Sequence, residues 1–251
     1  MKFTLQLLKA IYSIYALLVF IFWMFIALPF VFIALLFGTV KGGNLIYRIC
    51  KIWAFCWYCC IGVWHRNIYE VAHDASKQYI FVANHISYMD IPPIVLTMNQ
   101  PYRVLGKYEM VKYPVFGWIY RAAVILVDRS NAEKRAKSVR ALKAALAKGI
   151  SIFIFPEGTF NETDAVLKTF FDGAFRLAIE NQTPIKPLLF IDTIRRMHYS
   201  SLFSLTPGPN RVVYLETIPV DGLTMNDVTK LKQQVFDTMA EALQRYGYTT
   251  K

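Results

Sequence analysis

The sequence predicts an α/β fold: a mixed, largely parallel sheet flanked by helices, preceded by an N-terminal apolar helical segment. Three observations carry this reading. Residues 10–40 contain no charged side chain. Beyond Trp64, short β-rich runs alternate with helical ones, the pattern that builds a parallel sheet with functional loops at strand ends. The 251 residues accommodate one medium α/β domain with an appendage, but not two full domains.

The uncharged run spans 31 residues, more than the roughly 20 that cross a bilayer as a helix and more than a signal-peptide core. Pro29 lies inside it and is expected to kink or split the helix. The run therefore reads either as one tilted span or as a bent hairpin entering and leaving the same face. A second apolar stretch, 45–64, is interrupted by Arg48 and Lys51 and is rich in Trp and Tyr, which suits the membrane interface. Residues 1–66 thus form a membrane-docking helical segment and residues 67–251 the α/β domain. Within the latter, strands are expected at 79–83, 103–106, 124–127, 150–155, 185–191 and 211–216. Helices are expected at 88–98, 132–148, 173–181 and 227–246. The last of these places Val228, Leu231, Val235, Met239 and Leu243 on one face, with Gly247 as its stop.

The formal charge is +11. Residues 1–66 hold no acid and six bases (Lys2, Lys9, Lys41, Arg48, Lys51, Arg66), so they supply +6; the other 22 bases and 17 acids supply +5. Basic residues beside apolar sequence point to anionic lipid. Nucleic acid is excluded as partner, because the one basic run lies on a single helix, 132–148, with no accompanying motif. That helix meets anionic headgroups or an acidic carrier protein, or is a solvated face. The four cysteines, Cys50, Cys56, Cys59 and Cys60, fall within eleven residues. Cys56 and Cys59 have metal-type spacing without a second pair, so a packed apolar face is expected and no metal site. No disulfide is required, which fits a domain on the reducing, cytoplasmic face; the sequons at Asn161 and Asn181 are then chance matches.

One segment stands out chemically. Asn84-His85-Ile86-Ser87-Tyr88-Met89-Asp90 follows a strand directly. A neutral imidazole is the usual side chain for taking a proton from an attacking hydroxyl, and it works best with a carboxylate on its other nitrogen. On a continuous helix, residues five apart lie about 140° apart, so His85 and Asp90 meet only if the chain turns before the helix begins. Pro92 and Pro93 favour such a turn, since proline belongs in a helix's first turn. A loop His near a capping Asp gives the same pattern, which makes it weak on its own. Other strand ends add to it. Phe155-Pro156-Glu157-Gly158-Thr159 brings a carboxylate and a hydroxyl, Val127-Asp128-Arg129 a cation suited to phosphate, and Lys107-Tyr108-Glu109, with Pro114 and Gly117, a further charged loop.

In order and spacing these blocks resemble the His-x4-Asp glycerolipid acyltransferases, specifically the 1-acyl-glycerol-3-phosphate acyltransferases, from about Trp64 to Glu216. The resemblance implies a membrane-bound transferase that moves a fatty acyl group from acyl-CoA or acyl-carrier protein onto the sn-2 hydroxyl of 1-acyl-glycerol-3-phosphate, with no cofactor; the alternative acceptor is a phosphate-free or other lyso-lipid, an N-acyl amino acid lipid or a lysophospholipid being remodelled. It makes His85 and Asp90 the catalytic pair. It makes Lys107 and Arg129 ligands of the acceptor phosphate, and Glu157, Gly158 and Thr159 the acceptor-binding block. Phe170, Gly173 and Ala174, and then Pro184 and Pro187, match the later blocks. Three positions depart from the family pattern. Phe160 stands where Arg usually follows Glu-Gly-Thr, Phe171 where Lys usually follows Phe, and Ala123 where Gly is common. The first two remove positive charge near the acceptor, leaving Lys107, Arg129 and Lys168 to supply it. A serine hydrolase is the rival enzyme class, but Gly149-Ile150-Ser151 lacks the second Gly of a nucleophile elbow and precedes a strand.

Overall fold

The computed structural model describes residues 2–128 and 132–249; Arg129 lies outside them. The chain opens with α1 (Lys2–Leu35) and α2 (Gly43–Cys60), joined by a wide helical turn at Gly38–Gly42. The sheet follows: β1 (Val63–Tyr69), β2 (Ile80–Ala83), β3 (Tyr102–Lys107), β4 (Ile125–Val127), β5 (Ser151–Ile154), β6 (Ile185–Phe190) and β7 (Gly208–Tyr214). Between strands lie α3 (Ile91–Thr97), α4 (Phe116–Ala123), α5 (Ala132–Leu146), α6 (Gly173–Glu180) and α7 (Thr193–Arg196), and α8 (Val228–Arg245) ends the fold. Strand order is β1-β7-β6-β2-β5-β3-β4. β6 and β7 run antiparallel and every other pair is parallel.

The six expected strands are present. The centre of the sheet is apolar on both faces, because helices cover both, and every residue of β2, β5 and β6 is buried. Alternation assigns Ile80, Val82, Ile152 and Ile154 to one face, where they join residues of α5, α6 and α8. Phe81, Phe153, Phe190 and Tyr214 pack on the other face against α1, α2, α3 and α4.

Three expectations are corrected. Pro29 does not split α1, which continues through it to Leu35; the hairpin is made by α1 and α2 together, not by a bend within 10–40. The boundary at residue 66 falls inside β1, a strand hidden in the sequence beside apolar helix and paired with β7 at the far end of the chain. The charged loop at 107–117 is a short helical turn leading into α4.

The hairpin is also no mere appendage. Ile46 and Tyr58 of α2 are buried, the Tyr47 hydroxyl donates to Ala123 O at 2.8 Å, and Trp57 Nε1 donates to Ala16 O at 2.8 Å. The Arg103 guanidinium, from β3, donates to Thr39 O, Val40 O and Asn44 Oδ1 at 2.9–3.2 Å, closing the turn between the two helices onto the sheet. A Cβ at Gly43 would come within 2.2 Å of that guanidinium and push it from its acceptors. All four cysteines carry free thiols, Cys50 and Cys56 half-buried, Cys59 and Cys60 exposed at the end of α2.

Candidate active site

β2, β5, β3 and β4 are adjacent and parallel, so their carboxyl ends share one edge, the usual place for a site in an open α/β sheet. His85 follows β2, Lys107 ends β3, and residues 157–161 follow β5. Asn84 ties the first of these loops to β6: its amide donates to Phe190 O at 3.0 Å and its oxygen accepts Phe190 N–H at 2.8 Å.

The chain then turns before it coils. Ser87 is extended and caps a single 3₁₀ turn, Tyr88–Asp90, before α3 begins with Pro92 and Pro93 in its first turn. Ser87 Oγ accepts Met89 N–H at 3.0 Å, and Asp90 Oδ2 accepts Ser87 N–H at 2.9 Å, forming a capping box. The same Oδ2 accepts Ile86 N–H at 2.7 Å and lies 2.7 Å from His85 Nδ1. One oxygen thus closes the turn and holds the imidazole, and Asp90 is fully buried. A carboxylate on Nδ1 leaves Nε2 as the nitrogen able to accept a proton.

The β5 loop grips His85 from the other side. Its backbone N–H donates to Glu157 Oε1 at 2.7 Å, and its carbonyl accepts Asn161 N–H at 2.7 Å. Glu157 Oε2 accepts Lys168 N–H at 2.8 Å. Both Glu157 oxygens are therefore engaged by backbone, and the residue is completely buried. It is not among the residues lining the cavity beside His85, and what it holds is the backbone of His85 and of Lys168. Burial pushes its carboxyl up to about 8, against the two backbone donors that favour the ionised form. Gly158, at φ +72°, makes the turn, and Thr159 is exposed beyond it with Lys168 Nζ donating to its hydroxyl at 2.7 Å.

The imidazole plane is set by aromatic rings. Phe155 stacks on it at 3.9 Å and 11°. Phe160 meets it edge-on at 4.5 Å and also meets Tyr88 at 4.9 Å. His85, Gly158, Thr159, Phe160 and Lys107 line a cavity of about 500 Å³, whose remaining wall is mostly apolar and includes Phe20, Trp53 and Trp57 from the hairpin. Among the described residues, its other charged lining groups are Glu109 and Glu162. Arg129 lies outside the described residues. Sequence reasoning did not find Phe155, Asn84 or Asn161, nor the hairpin's share of the cavity. For Phe155 the available signal was an aromatic directly after β5.

A family model described as Acyltransferase matches residues 65–191. The chain belongs to that family. The matched span contains His85, Asp90, Lys107 and residues 157–161 of this acyltransferase-family chain. It is 32% identical over 154 residues to a 1-acyl-sn-glycerol-3-phosphate acyltransferase of Cocos nucifera, which covers 61% of this chain and 49% of that protein. It is 28% identical over 207 residues to a putative 1-acyl-sn-glycerol-3-phosphate acyltransferase of Caenorhabditis elegans, covering 80% and 71%. With the human alpha form it shares 28% over 168 residues, covering 65% and 58%. The match thus spans between 49% and 71% of these relatives' length, and about half of the first. The crystal structure of the 1-acyl-sn-glycerophosphate acyltransferase PlsC from Thermotoga maritima superposes with a TM-score of 0.75 at 20% identity, covering 98% of each chain. The likeness of fold therefore includes the hairpin, which the family model does not.

Proposed function

We propose that this protein transfers a fatty acyl group from acyl-CoA or acyl-carrier protein to the sn-2 hydroxyl of 1-acyl-glycerol-3-phosphate, giving phosphatidic acid. The observation that carries the reading is the His85 Nδ1–Asp90 Oδ2 contact of 2.7 Å on a ring that lines a largely apolar cavity. Nε2 takes the acceptor's hydroxyl proton as the oxygen attacks the thioester carbonyl. The carbonyl–oxygen bond forms, the carbon–sulfur bond breaks, and the departing thiolate takes the proton back from the imidazolium. No nucleophilic side chain is needed, so transfer is direct.

The membrane arrangement follows from α1. It is long and apolar enough to cross a bilayer, yet Ala16, Met24, Ala27, Val31 and Ala34 are buried along one stripe against the domain. A full crossing would draw the domain into hydrocarbon, so in this reading α1 lies along one surface of the bilayer, with the domain on the cytoplasmic side. Its outward Ile11, Leu18, Phe22, Phe25 and Phe30, each at least half exposed, face the acyl chains. Phe160 supports a second acceptor class, a lyso-lipid without a phosphate monoester, because an aromatic edge stands where a guanidinium would neutralise a dianion.

The deciding experiment supplies labelled acyl-CoA or acyl-carrier protein with lysophosphatidate or a monoacylglycerol of equal chain length. Lysophosphatidate should be preferred, and His85→Ala should lower the rate by roughly 10²–10⁴ in folded protein. A preference for the phosphate-free acceptor moves the assignment to the second class. Acyl transfer unaffected by His85→Ala removes the reading altogether.

A further inference from the structure

The loop between α7 and β7, residues 197–207, supplies no reacting group to the chemistry above. Between Asp192 and Glu216 there is no acidic residue, and after α7 the chain forms a compact excursion before β7. At its tip Leu202 and Phe203 are 57% and 59% exposed, adjacent large apolar side chains on a segment otherwise rich in serine. Scattered exposed hydrophobics are ordinary, but a paired apolar tip on a tight loop is not.

The loop's serines hold it together. Phe203 N–H donates to Ser201 Oγ at 3.2 Å, Ser204 N–H to Ser201 O at 3.3 Å, and Ser201 N–H to His198 O at 3.1 Å. Ser204 Oγ accepts His198 N–H at 2.9 Å and donates to Ser201 O at 2.6 Å. Backbone groups bonded within the turn do not have to be stripped of water when the tip leaves it, which lowers the cost of entering an apolar phase.

Its stems place the tip. Met197 and Leu205 pack in one cluster with Tyr12 and Ala16 of α1, Trp57 of α2 and Met89 of the catalytic turn. Leu205 N–H donates to Ser13 Oγ at 3.1 Å, so the loop rises beside the amino-terminal half of α1. We propose that this loop is a second bilayer-inserting element, in which Leu202 and Phe203 enter the lipid interface alongside α1. The proposal rests on the reading that α1 docks on a membrane. The occupant is lipid because the loop's stem is bonded to α1, whose exposed side chains are apolar, and because neither residues 193–215 nor residues 1–66 hold an acid that an anionic surface would repel. The loop also touches the site: Ser87 Oγ, on the turn that caps the catalytic pair, donates to Met197 O at 2.6 Å.

The test places the photo-crosslinker p-benzoyl-phenylalanine at position 203, at position 18 on the outer face of α1, or at position 139 on α5. Val139 is exposed on the helix layer across the sheet from α1. The full-length protein is illuminated on mixed phosphatidylcholine–phosphatidylglycerol vesicles, and lipid adducts are read by mass spectrometry. Adducts at 203 and 18 but not at 139 are expected. An adduct at 18 without one at 203 overturns the loop proposal and leaves α1 docking intact; no adduct at either position overturns both. In sedimentation with the same vesicles, Leu202→Ser with Phe203→Ser should weaken partitioning about ten-fold or more without altering the thermal midpoint. Unchanged partitioning counts against the loop.

Discussion

Asp90→Asn isolates what the buried carboxylate does. Oδ2 accepts three N–H groups, from His85, Ile86 and Ser87, while Oδ1 is buried without a partner among the described residues. The asparagine oxygen fits best in place of Oδ2, which puts its amide, with two unpaired donors, where Oδ1 was. That arrangement costs about 1–3 kcal/mol of stability and leaves the turn formed. The chemical step loses more. When His85 takes the proton, its charge sits about 4 Å from the centre of the carboxylate, an attraction of about 4 kcal/mol at an effective dielectric of 20. A neutral amide recovers little of this, and at 1.36 kcal/mol per factor of ten the rate falls roughly 10³-fold. Because the attraction exists only once the proton has moved, kcat should fall and the Michaelis constants should stay nearly constant. The assay is thiol release from a labelled acyl thioester at saturating acceptor, with thermal unfolding as control. A loss smaller than about ten-fold in folded protein would refute the idea that Asp90 stabilises an imidazolium.

Three further outcomes follow from the geometry. Glu157 holds a proton in the fold up to about pH 8, whereas its ordinary value is 4.5; the folded state therefore binds more protons between those values, and stability should fall as pH rises through that window. Urea midpoints between pH 5 and 8.5 measure this slope, and Glu157→Gln should flatten it while costing about 1–3 kcal/mol for the lost backbone acceptor; an unchanged slope assigns the dependence elsewhere. Phe160→Arg should raise kcat/KM for lysophosphatidate relative to a monoacylglycerol of equal length, and an unaltered ratio means Phe160 does not set acceptor charge. Deleting residues 1–35 should yield aggregated protein instead of a soluble enzyme, since the hairpin and sheet share one core; a monodisperse, active product would show that the sheet face closes without α1.

What was legible beforehand followed local chemistry. The turn joining His85 to Asp90 could be read because two prolines mark the helix start and five residues on a helix cannot face each other. The buried strands announced themselves as short β-branched and aromatic runs. What stayed hidden depends on distant partners. Val63–Tyr69 carries His65, Arg66 and Asn67 in its middle and earns its place only by pairing with β7. Glu157 was legible only through the resemblance of its Glu-Gly-Thr block; its bonds to the backbone of His85 and Lys168 are ones no side-chain pattern reveals. The apolar run at 10–40 showed its composition but not its inner stripe, since hydrocarbon and protein interior select the same residues.

The pairing of β1 with β7 also sets a timetable. Val63 pairs with Gly208 and Tyr69 with Tyr214, so the first strand made waits for the last. At roughly 5–20 residues per second of chain growth, that wait is on the order of ten seconds. At its start α1 and α2 are already complete, while Phe153 and Phe190, in the core they help build, do not yet exist. Contacts this far apart in sequence form late and leave the nascent chain prone to clump. A bilayer that takes up the outer side of α1 from the start would shelter the growing chain in the meantime. The anchor would then serve as a holding place during synthesis as well as a mooring afterwards, and chains made without membranes should be lost to aggregation before β7 emerges.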